Sequence, residues 1–122
     1  MIMGYESKLY IGYTSPYFSK NGCLFVAEIA SIDVSCAGKM VKDCFSNRGG
    51  YYITEGNEDI FEDCYGQKLG YCELETLYNW LTHLEGDDAN YRRFKLLKKL
   101  LEGFLENRSL WKEEIVVLEY GY

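Results

Sequence analysis

Four closely spaced carboxylates, Glu58, Asp59, Glu62 and Asp63, are the residues whose type and spacing come nearest to a chemical site. Carboxylate oxygens bind Mg²⁺, so such a group could hold a divalent cation. A nuclease site of the restriction type also needs a lysine shortly after the carboxylates, whereas Lys68 follows a turn-forming stretch. The pattern therefore favours a solvated acidic edge over a metal site.

Other kinds of catalysis have little support in the sequence. A catalytic triad needs a base beside a nucleophile, and the chain has one histidine, His83, and no Gly-x-Ser-x-Gly motif. The five cysteines include no Cys-x-x-Cys pair and lie too far apart to predict a zinc site. Gly49-Gly50 lacks the Gly-Lys-Ser/Thr entry of a phosphate loop and reads as a turn. We expect no catalytic residue, metal or cofactor.

Charge is divided into two blocks along the chain. Thirteen basic and nineteen acidic residues give a formal charge of −6, which argues against indiscriminate binding to nucleic acid or anionic membrane. Residues 55–88 contain ten acidic side chains and one lysine. A basic stripe follows on the polar face of the next predicted helix, formed by Arg92, Lys95 and Lys99.

The basic stripe opposes the dipole of its own helix. Its cations lie near the N-terminus, while Glu102 and Glu106 lie on the same face near the C-terminus, and the macrodipole favours the reverse order. Two explanations remain open from the sequence. Either Glu85, Asp87 and Asp88 neutralise the stripe, or it is a surface for an anion or a partner.

Two helices are predicted to position these charges. Residues 91–105 (YRRFKLLKKLLEGFL) repeat apolar side chains every three or four positions, which predicts a helix with one apolar face. A second helix is predicted at 73–85 and ends at Gly86, with Asp87 or Asp88 as the cap of the longer helix. Since the link is short, the helices should form an antiparallel pair. A weaker helical pattern covers 37–45.

Strand patterns occupy both ends of the chain. Segments 8–13 and 23–34 predict a hairpin whose connecting loop contains Tyr17, Phe18 and the turn pair Asn21-Gly22. Segments 51–54 and 59–65 predict a second hairpin with an acidic edge strand. The apolar run 115–118 predicts an interior strand.

We therefore expect a single α+β domain over residues 1–122. Its predicted architecture is an antiparallel sheet of about five strands, in the chain order β-β-α-β-β-α-α-β, with a helical pair packed on one face. The opening MIMGYESK has no basic segment followed by an apolar run, and no apolar stretch reaches the roughly 20 residues of a membrane span. With the unpaired cysteines, this predicts a cytoplasmic protein.

Three segments resemble a group of small phage and prophage accessory proteins. They are the opening 4–11 (GYESKLYI), the middle 60–66 (IFEDCYG) and the ending 116–122 (VVLEYGY). The resemblance implies an acidic, compact protein without an active site, in the cytoplasm of a bacterial host. Many proteins of this kind bind a host defence component.

Two functions follow from that resemblance. The first is an inhibitor similar to anti-CRISPR proteins, which binds a nucleic-acid-handling defence effector but no nucleic acid or membrane itself. Its partner-binding residues would be the acidic group Glu55, Glu58, Asp59, Glu62 and Asp63. The alternative is a homo-oligomeric sponge for a nucleotide immune signal, held by Arg92, Lys95 and Lys99 with neighbouring tyrosines.

Overall fold

Strands are the largest part of the structure. The computed structural model describes residues 6–35, 41–110 and 114–122. The strands are β1 (Ser7–Lys20), β2 (Cys23–Ser35), β3 (Asn47–Arg48), β4 (Tyr51–Glu55), β5 (Glu58–Ile60), β6 (Gly70–Glu73) and β7 (Ile115–Gly121). They form one sheet in the order β3-β6-β7-β1-β2-β4-β5. Neighbouring strands are antiparallel except β2 and β4, which are parallel.

Three helices accompany the sheet. They are α1 (Leu74–Thr82), the single turn α2 (Gly86–Ala89) and α3 (Arg92–Glu106), and two 3₁₀ turns cover Lys42–Phe45 and Arg108–Leu110. α1 and α3 contact each other, and both contribute to a core against the sheet. Within the described ranges, no helix has the length and apolar character that a membrane crossing requires.

The predicted antiparallel sheet of about five strands with a helical pair on one face is wrong. The sheet has seven strands, includes a parallel pair, and curls into a half-barrel. β3 has two residues and β6 has four, so neither is long enough to give a period-two pattern in the sequence. The β2–β4 pairing joins distant segments that local patterning cannot connect.

The curl follows from the connection between β3 and β4. Only Gly49 and Gly50 separate these strands, and three Cα steps of about 3.8 Å reach at most about 11 Å. In a flat sheet β3 and β4 would lie five strand spacings apart, about 24 Å. The two edges must therefore approach each other. Both glycines have positive φ, and their backbones bond to Leu69 and Leu24, which confirms a turn here.

Apolar side chains pack on both faces of the sheet. On the helix side, Leu9, Ile11 and Val117 join residues of α1 and α3 in the main core. The opposite face holds a second cluster, formed by Tyr10, Val26, Ile53, Leu69, Val116 and Leu118. Ile53 and Leu69 come from distant parts of the sheet, so their shared cluster fills the inside of the curl.

The first hairpin is longer and tighter than predicted. β1 runs to Lys20, and the turn consists of Asn21 and Gly22, both with positive φ as in a type I′ turn. Tyr17 and Phe18 therefore lie in a strand and not in a loop. Residues 16–18 have no partner in the β1–β2 register, which passes directly from Ser15–Phe25 to Ser19–Leu24. This irregularity has the character of an extended β-bulge.

The helix at 91–105 is confirmed, as α3, and the helix at 73–85 is shorter, as α1. Asp87 and Asp88 do not cap α3, because they belong to α2 and the residue before α3 is Tyr91. The strand predicted at 59–65 is wrong beyond Ile60, where Glu62 makes only an isolated bridge with Lys68. The helix predicted at 37–45 falls partly outside the described residues.

Candidate functional site

The β4–β5 hairpin carries most of the predicted acidic group at one edge of the sheet. Glu55 accepts hydrogen bonds from Tyr10 Oη at 2.6 Å and from Lys8 Nζ at 3.2 Å. The Tyr10 hydrogen bond, supported by Lys8, lowers the pKa of Glu55 against the opposing effect of burial. Glu55 is therefore already paired within the molecule.

Asp59 is also paired, whereas Glu58 and Glu62 have no ion-pair partner among the described residues. Asp59 lies 2.7 Å from Lys20 Nζ, an ion pair that ties β5 to the end of β1 and raises the pKa of Lys20. Glu58 and Glu62 are exposed, and the described part of the chain places no cation within 4.0 Å of either. This edge of the sheet does carry four exposed carboxylates, but lysines from β1 neutralise two of them.

Asp63 does not belong to this surface. Its side chain is fully buried, and Oδ1 accepts hydrogen bonds from the backbone N–H groups of Tyr65 and Gln67. Oδ2 lies 3.8 Å from Arg48 Nη1, and no described residue donates a hydrogen bond to it. Asp63 was predicted as a partner-binding residue, and its burial contradicts that role.

A buried charge cluster is formed by Ser7, Arg48, Asp63 and Glu119. Arg48 Nη2 donates to Glu119 Oε1 at 2.8 Å, and Ser7 Oγ donates to Glu119 Oε2 at 2.5 Å. Arg48 Nη1 also donates to the carbonyl oxygen of Lys68 at 2.8 Å. The cluster joins β1, β3, β7 and the 61–69 segment, and it places two carboxylates around one guanidinium.

A serine beside a carboxylate invites a catalytic interpretation, but Ser7 and Glu119 are 0% exposed. A substrate cannot reach them without unfolding the sheet end, so we interpret the cluster as structural. Sequence reasoning missed it. The available signal was Glu119 itself, a charged residue next to an apolar run in a predicted interior strand, where a charge needs a buried partner.

The extended bulge of β1 exposes two aromatic side chains. Tyr17 is 89% exposed and Phe18 is 61% exposed, although each is large and largely apolar. Phe18 begins a row of ring contacts: Phe18–Phe25 at 6.3 Å, Phe25–Tyr52 at 5.5 Å and Tyr52–Phe61 at 4.7 Å. Because Tyr52 is buried, this row anchors the bulge to the core.

Aromatic and acidic residues meet at this end of the molecule. We define the hairpin-tip surface by Tyr17, Phe18, Leu24 and Glu62. The Lys20–Asp59 ion pair and the row of rings connect its two hairpins. A pocket of about 260 Å³ lies within it, lined by Asn21, Cys23, Gly49, Phe61, Glu62 and Lys68.

The predicted basic residues are only partly brought together. Lys95 and Lys99 line a groove of about 310 Å³ between α1 and α3, together with Lys98, Thr82 and one carboxylate, Glu102. Lys99 Nζ lies 3.6 Å from Glu102, and Lys98 Nζ lies 6.0 Å from the centre of the Tyr78 ring. Arg92 is exposed on the same helix but does not line the groove. We call Lys95, Lys98, Lys99 and Thr82 the basic groove.

The basic groove also explains the reversed charge order of α3. Its lysines lie beside Leu81, Thr82 and Leu84, at the C-terminal end of α1. Cations there are favourable for the dipole of α1, which runs antiparallel to α3. Neutralisation by Glu85, Asp87 and Asp88, the other explanation, has no ion pair to support it among the described residues.

The described residues offer no metal site, and two of their thiols, Cys44 and Cys72, are held protonated by burial. No three His, Cys, Asp or Glu side chains in those ranges are arranged to hold a metal ion. Burial, assisted by Asp43, raises the pKa of Cys44 to about 12, and burial raises that of Cys72 as well. Thiols held protonated are poor nucleophiles, so both behave as apolar core residues.

Comparison of the chain with protein-family models, with curated proteins and with solved structures found no significant match. The candidate surfaces are therefore argued from their own geometry.

Proposed function

We propose that this protein is a non-enzymatic, phage-type accessory protein that inhibits a bacterial defence component by binding it through the hairpin-tip surface. The observation that carries the proposal is the exposure of Tyr17 and Phe18 on a bulge that is anchored to the core. An isolated soluble domain has no use for two exposed aromatic side chains at one site, whereas binding interfaces are enriched in them. The partner is a protein that handles nucleic acid.

The rings are expected to supply most of the binding energy. Tyr17 and Phe18 bring large contact areas with few rotatable bonds, so little conformational entropy is lost on binding. The row of rings behind Phe18 holds that side chain in place before the partner arrives. Such preorganisation reduces the entropic penalty of association.

The carboxylates are expected to select and orient a basic partner. Glu62 lines the pocket beside Asn21 and Phe61, and Glu58 is exposed further along the same edge. Both can accept charge-assisted hydrogen bonds from Arg or Lys side chains that otherwise contact phosphate. Lys8, Lys20 and Lys68 offset much of the local negative charge. We therefore expect Tyr17 and Phe18 to supply most of the affinity with which the surface competes against nucleic acid. Electrostatic attraction should mainly orient the partner and raise the association rate.

Binding to a panel of purified nucleic-acid-handling defence effectors tests this proposal. Interferometry at low and at physiological ionic strength would compare the natural chain with the double variant Tyr17→Ser, Phe18→Ser. Removing two anchors should weaken the complex by about 100-fold or more, since hot-spot residues contribute at least about 2 kcal/mol each. Glu58→Gln with Glu62→Gln should weaken it less and flatten its salt dependence.

Matched control variants change the same side chains elsewhere. Tyr65→Ser removes another exposed tyrosine, and Glu85→Gln with Asp87→Asn removes two carboxylates outside the surface. Both should leave affinity unchanged. The proposal fails if no effector binds at low ionic strength, or if the complex tolerates loss of both aromatic residues.

The basic groove supports a second candidate function, the nucleotide sponge. Three lysines around one groove can hold the phosphates of a signalling nucleotide, with the Thr82 hydroxyl as a further donor. Calorimetry with cyclic and ADP-ribose-type nucleotides is the test. Heat that disappears in Lys95→Gln with Lys99→Gln supports the sponge, and absence of heat with the natural chain removes it.

A further inference from the structure

The pocket beside the first hairpin turn carries charges of opposite sign in its lining. We call this cavity of about 260 Å³ the hairpin-tip pocket, and Asn21, Phe61, Glu62 and Lys68 are among the residues that line it. The side chains of Asn21, Glu62 and Lys68 are exposed, and within the described ranges none of the three makes a hydrogen bond or an ion pair. One carboxylate, one ammonium group and one amide are therefore available to a ligand in a single cavity.

Glu62 and Lys68 lie opposite each other across an isolated bridge but do not form an ion pair. The N–H groups of Leu69 and Asp63 donate backbone hydrogen bonds, at 3.4 and 2.8 Å, on either side of that bridge. Such flanking bonds define a non-hydrogen-bonded pair, the arrangement that brings opposite side chains closest. Their charged atoms nevertheless stay more than 4.0 Å apart.

Gly49 gives the physical reason for this separation. A Cβ built at Gly49 would lie 3.1 Å from Lys68 Cδ and 3.8 Å from Lys68 Cβ, so the lysine stem lies against this glycine. The Gly49 N–H donates to the Leu69 carbonyl oxygen at 2.9 Å, which keeps Gly49 beside the stem. Because the stem follows the glycine turn, the ammonium group of Lys68 is directed away from the Glu62 carboxylate.

Phe61 supplies an apolar wall whose position is fixed. Its ring stacks on Tyr52 at a centroid distance of 4.7 Å and an interplanar angle of 22°. Tyr52 is itself buried, so the Phe61 ring is held in place before any ligand arrives. The hairpin-tip pocket thus combines two separated opposite charges with one preorganised aromatic surface, the mixture of apolar wall and few polar groups that is typical of small-molecule sites.

We propose that the hairpin-tip pocket binds a free amino acid with an apolar side chain. The ammonium group of the ligand pairs with Glu62, its carboxylate pairs with Lys68 and the Asn21 amide, and its side chain packs on Phe61. A ligand with only one charge would be attracted by one of the two protein charges and repelled by the other. The proposal goes beyond the binding function above, because it concerns a small molecule and requires no protein partner.

Three ligands with the same carbon skeleton test the need for both charges. In an NMR titration of the full chain, L-phenylalanine should give saturable shift changes at the backbone amides of Asn21, Gly49 and Lys68. 2-Phenylethylamine lacks the carboxylate and 3-phenylpropionate lacks the ammonium group, so each should bind at least about 10-fold more weakly. The proposal fails if either binds as tightly as L-phenylalanine, or if L-phenylalanine gives no saturable change up to its solubility.

Two variants test the assigned roles of the charges. Lys68→Met keeps an apolar stem against Gly49 and Glu62→Gln keeps the side-chain length, and each should weaken L-phenylalanine binding by about 10-fold or more. Lys68→Met should also lose the preference for L-phenylalanine over 2-phenylethylamine, because no cation remains for the ligand carboxylate. Lys42→Met and Glu85→Gln change residues outside the pocket lining and should bind normally. Unchanged affinity in Lys68→Met or in Glu62→Gln would overturn the proposal.

Discussion

Glu62 and Asp63 are neighbours in the sequence and opposites in the structure. Glu62 belongs to the exposed hairpin-tip surface, while Asp63 turns inward to the buried charge cluster with Arg48 and Glu119. Both regions contain carboxylates near a cation. At the surface, water screens each interaction, whereas in the interior each charge depends on its partners.

The contrast shows that a run of acidic residues does not measure surface charge. Lysines from β1 neutralise Glu55 and Asp59, and Asp63 is lost to the interior. Two of the five predicted carboxylates remain both exposed and unpaired among the described residues. In the proposed function, a partner would meet aromatic rings with a modest acidic border, and the rings would supply most of the binding energy.

The largest expected effect comes from the centre of the buried charge cluster. Arg48→Met should lower the free energy of unfolding by about 3–5 kcal/mol, because it removes the guanidinium that Glu119 and Asp63 both face in the interior. Urea denaturation at pH 7 measures the change. Arg93→Met, which removes a half-exposed arginine paired with Asp33, should change stability by about 1 kcal/mol or less. Equal losses of stability in Arg48→Met and Arg93→Met would contradict the difference between buried and exposed ion pairs.

The next largest loss of stability is expected at the neighbouring residues Glu62 and Asp63. Asp63→Asn should destabilise the protein by about 1–3 kcal/mol, because it removes the buried charge beside Arg48 and turns an amide donor toward that cation. Glu62→Gln should stay within about 0.5 kcal/mol of the natural chain. Thermal and urea unfolding of the two variants under the same conditions would compare them directly.

Tyr10 connects the interior to the acidic edge and makes the stability of the protein depend on pH. Burial, followed by its hydrogen bond to Glu55, raises the pKa of Tyr10, so folding favours the protonated hydroxyl. The contribution of Tyr10 to the free energy of unfolding is complete below the ordinary tyrosine pKa of 10.0 and is lost as the pH rises above that value. Tyr10→Phe should lose about 1 kcal/mol at pH 7 and show a shallower decline in stability between pH 9 and 11.

The smallest expected effect is on stability at low pH and comes from Glu55 at the surface. Because the Tyr10 hydrogen bond and Lys8 lower the pKa of Glu55, its contribution is present above the ordinary pKa of 4.5 and is lost as the pH falls through the lowered value. Solvent screening keeps that contribution small. A carboxyl NMR titration should show the pKa of Glu55 rising in Tyr10→Phe, and rising less in Lys8→Gln. An unchanged titration would remove Tyr10 as the main cause.

Elements with strong local signals were predictable. The periodic leucines of α3, the Asn21-Gly22 turn and the apolar run of β7 each follow from interactions among residues close in sequence. The acidic edge strand of the β4–β5 hairpin was also predicted from residues close in sequence. Their neutralisation by Lys8 and Lys20 was not, since those lysines lie about 40 residues away.

The sequence by itself determined the two longer helices α1 and α3, the position of the first hairpin turn and the division of charge into two blocks, because these depend on local spacing and side-chain type. Only the tertiary structure decided the seven-stranded curl, the burial of Asp63 and Glu119 around Arg48, and the exposure of Tyr17 and Phe18. Each of these depends on pairings between strands that are distant in sequence, such as β2 with β4. Hydrogen bonds between strands select those pairings from many alternatives that one sequence leaves open.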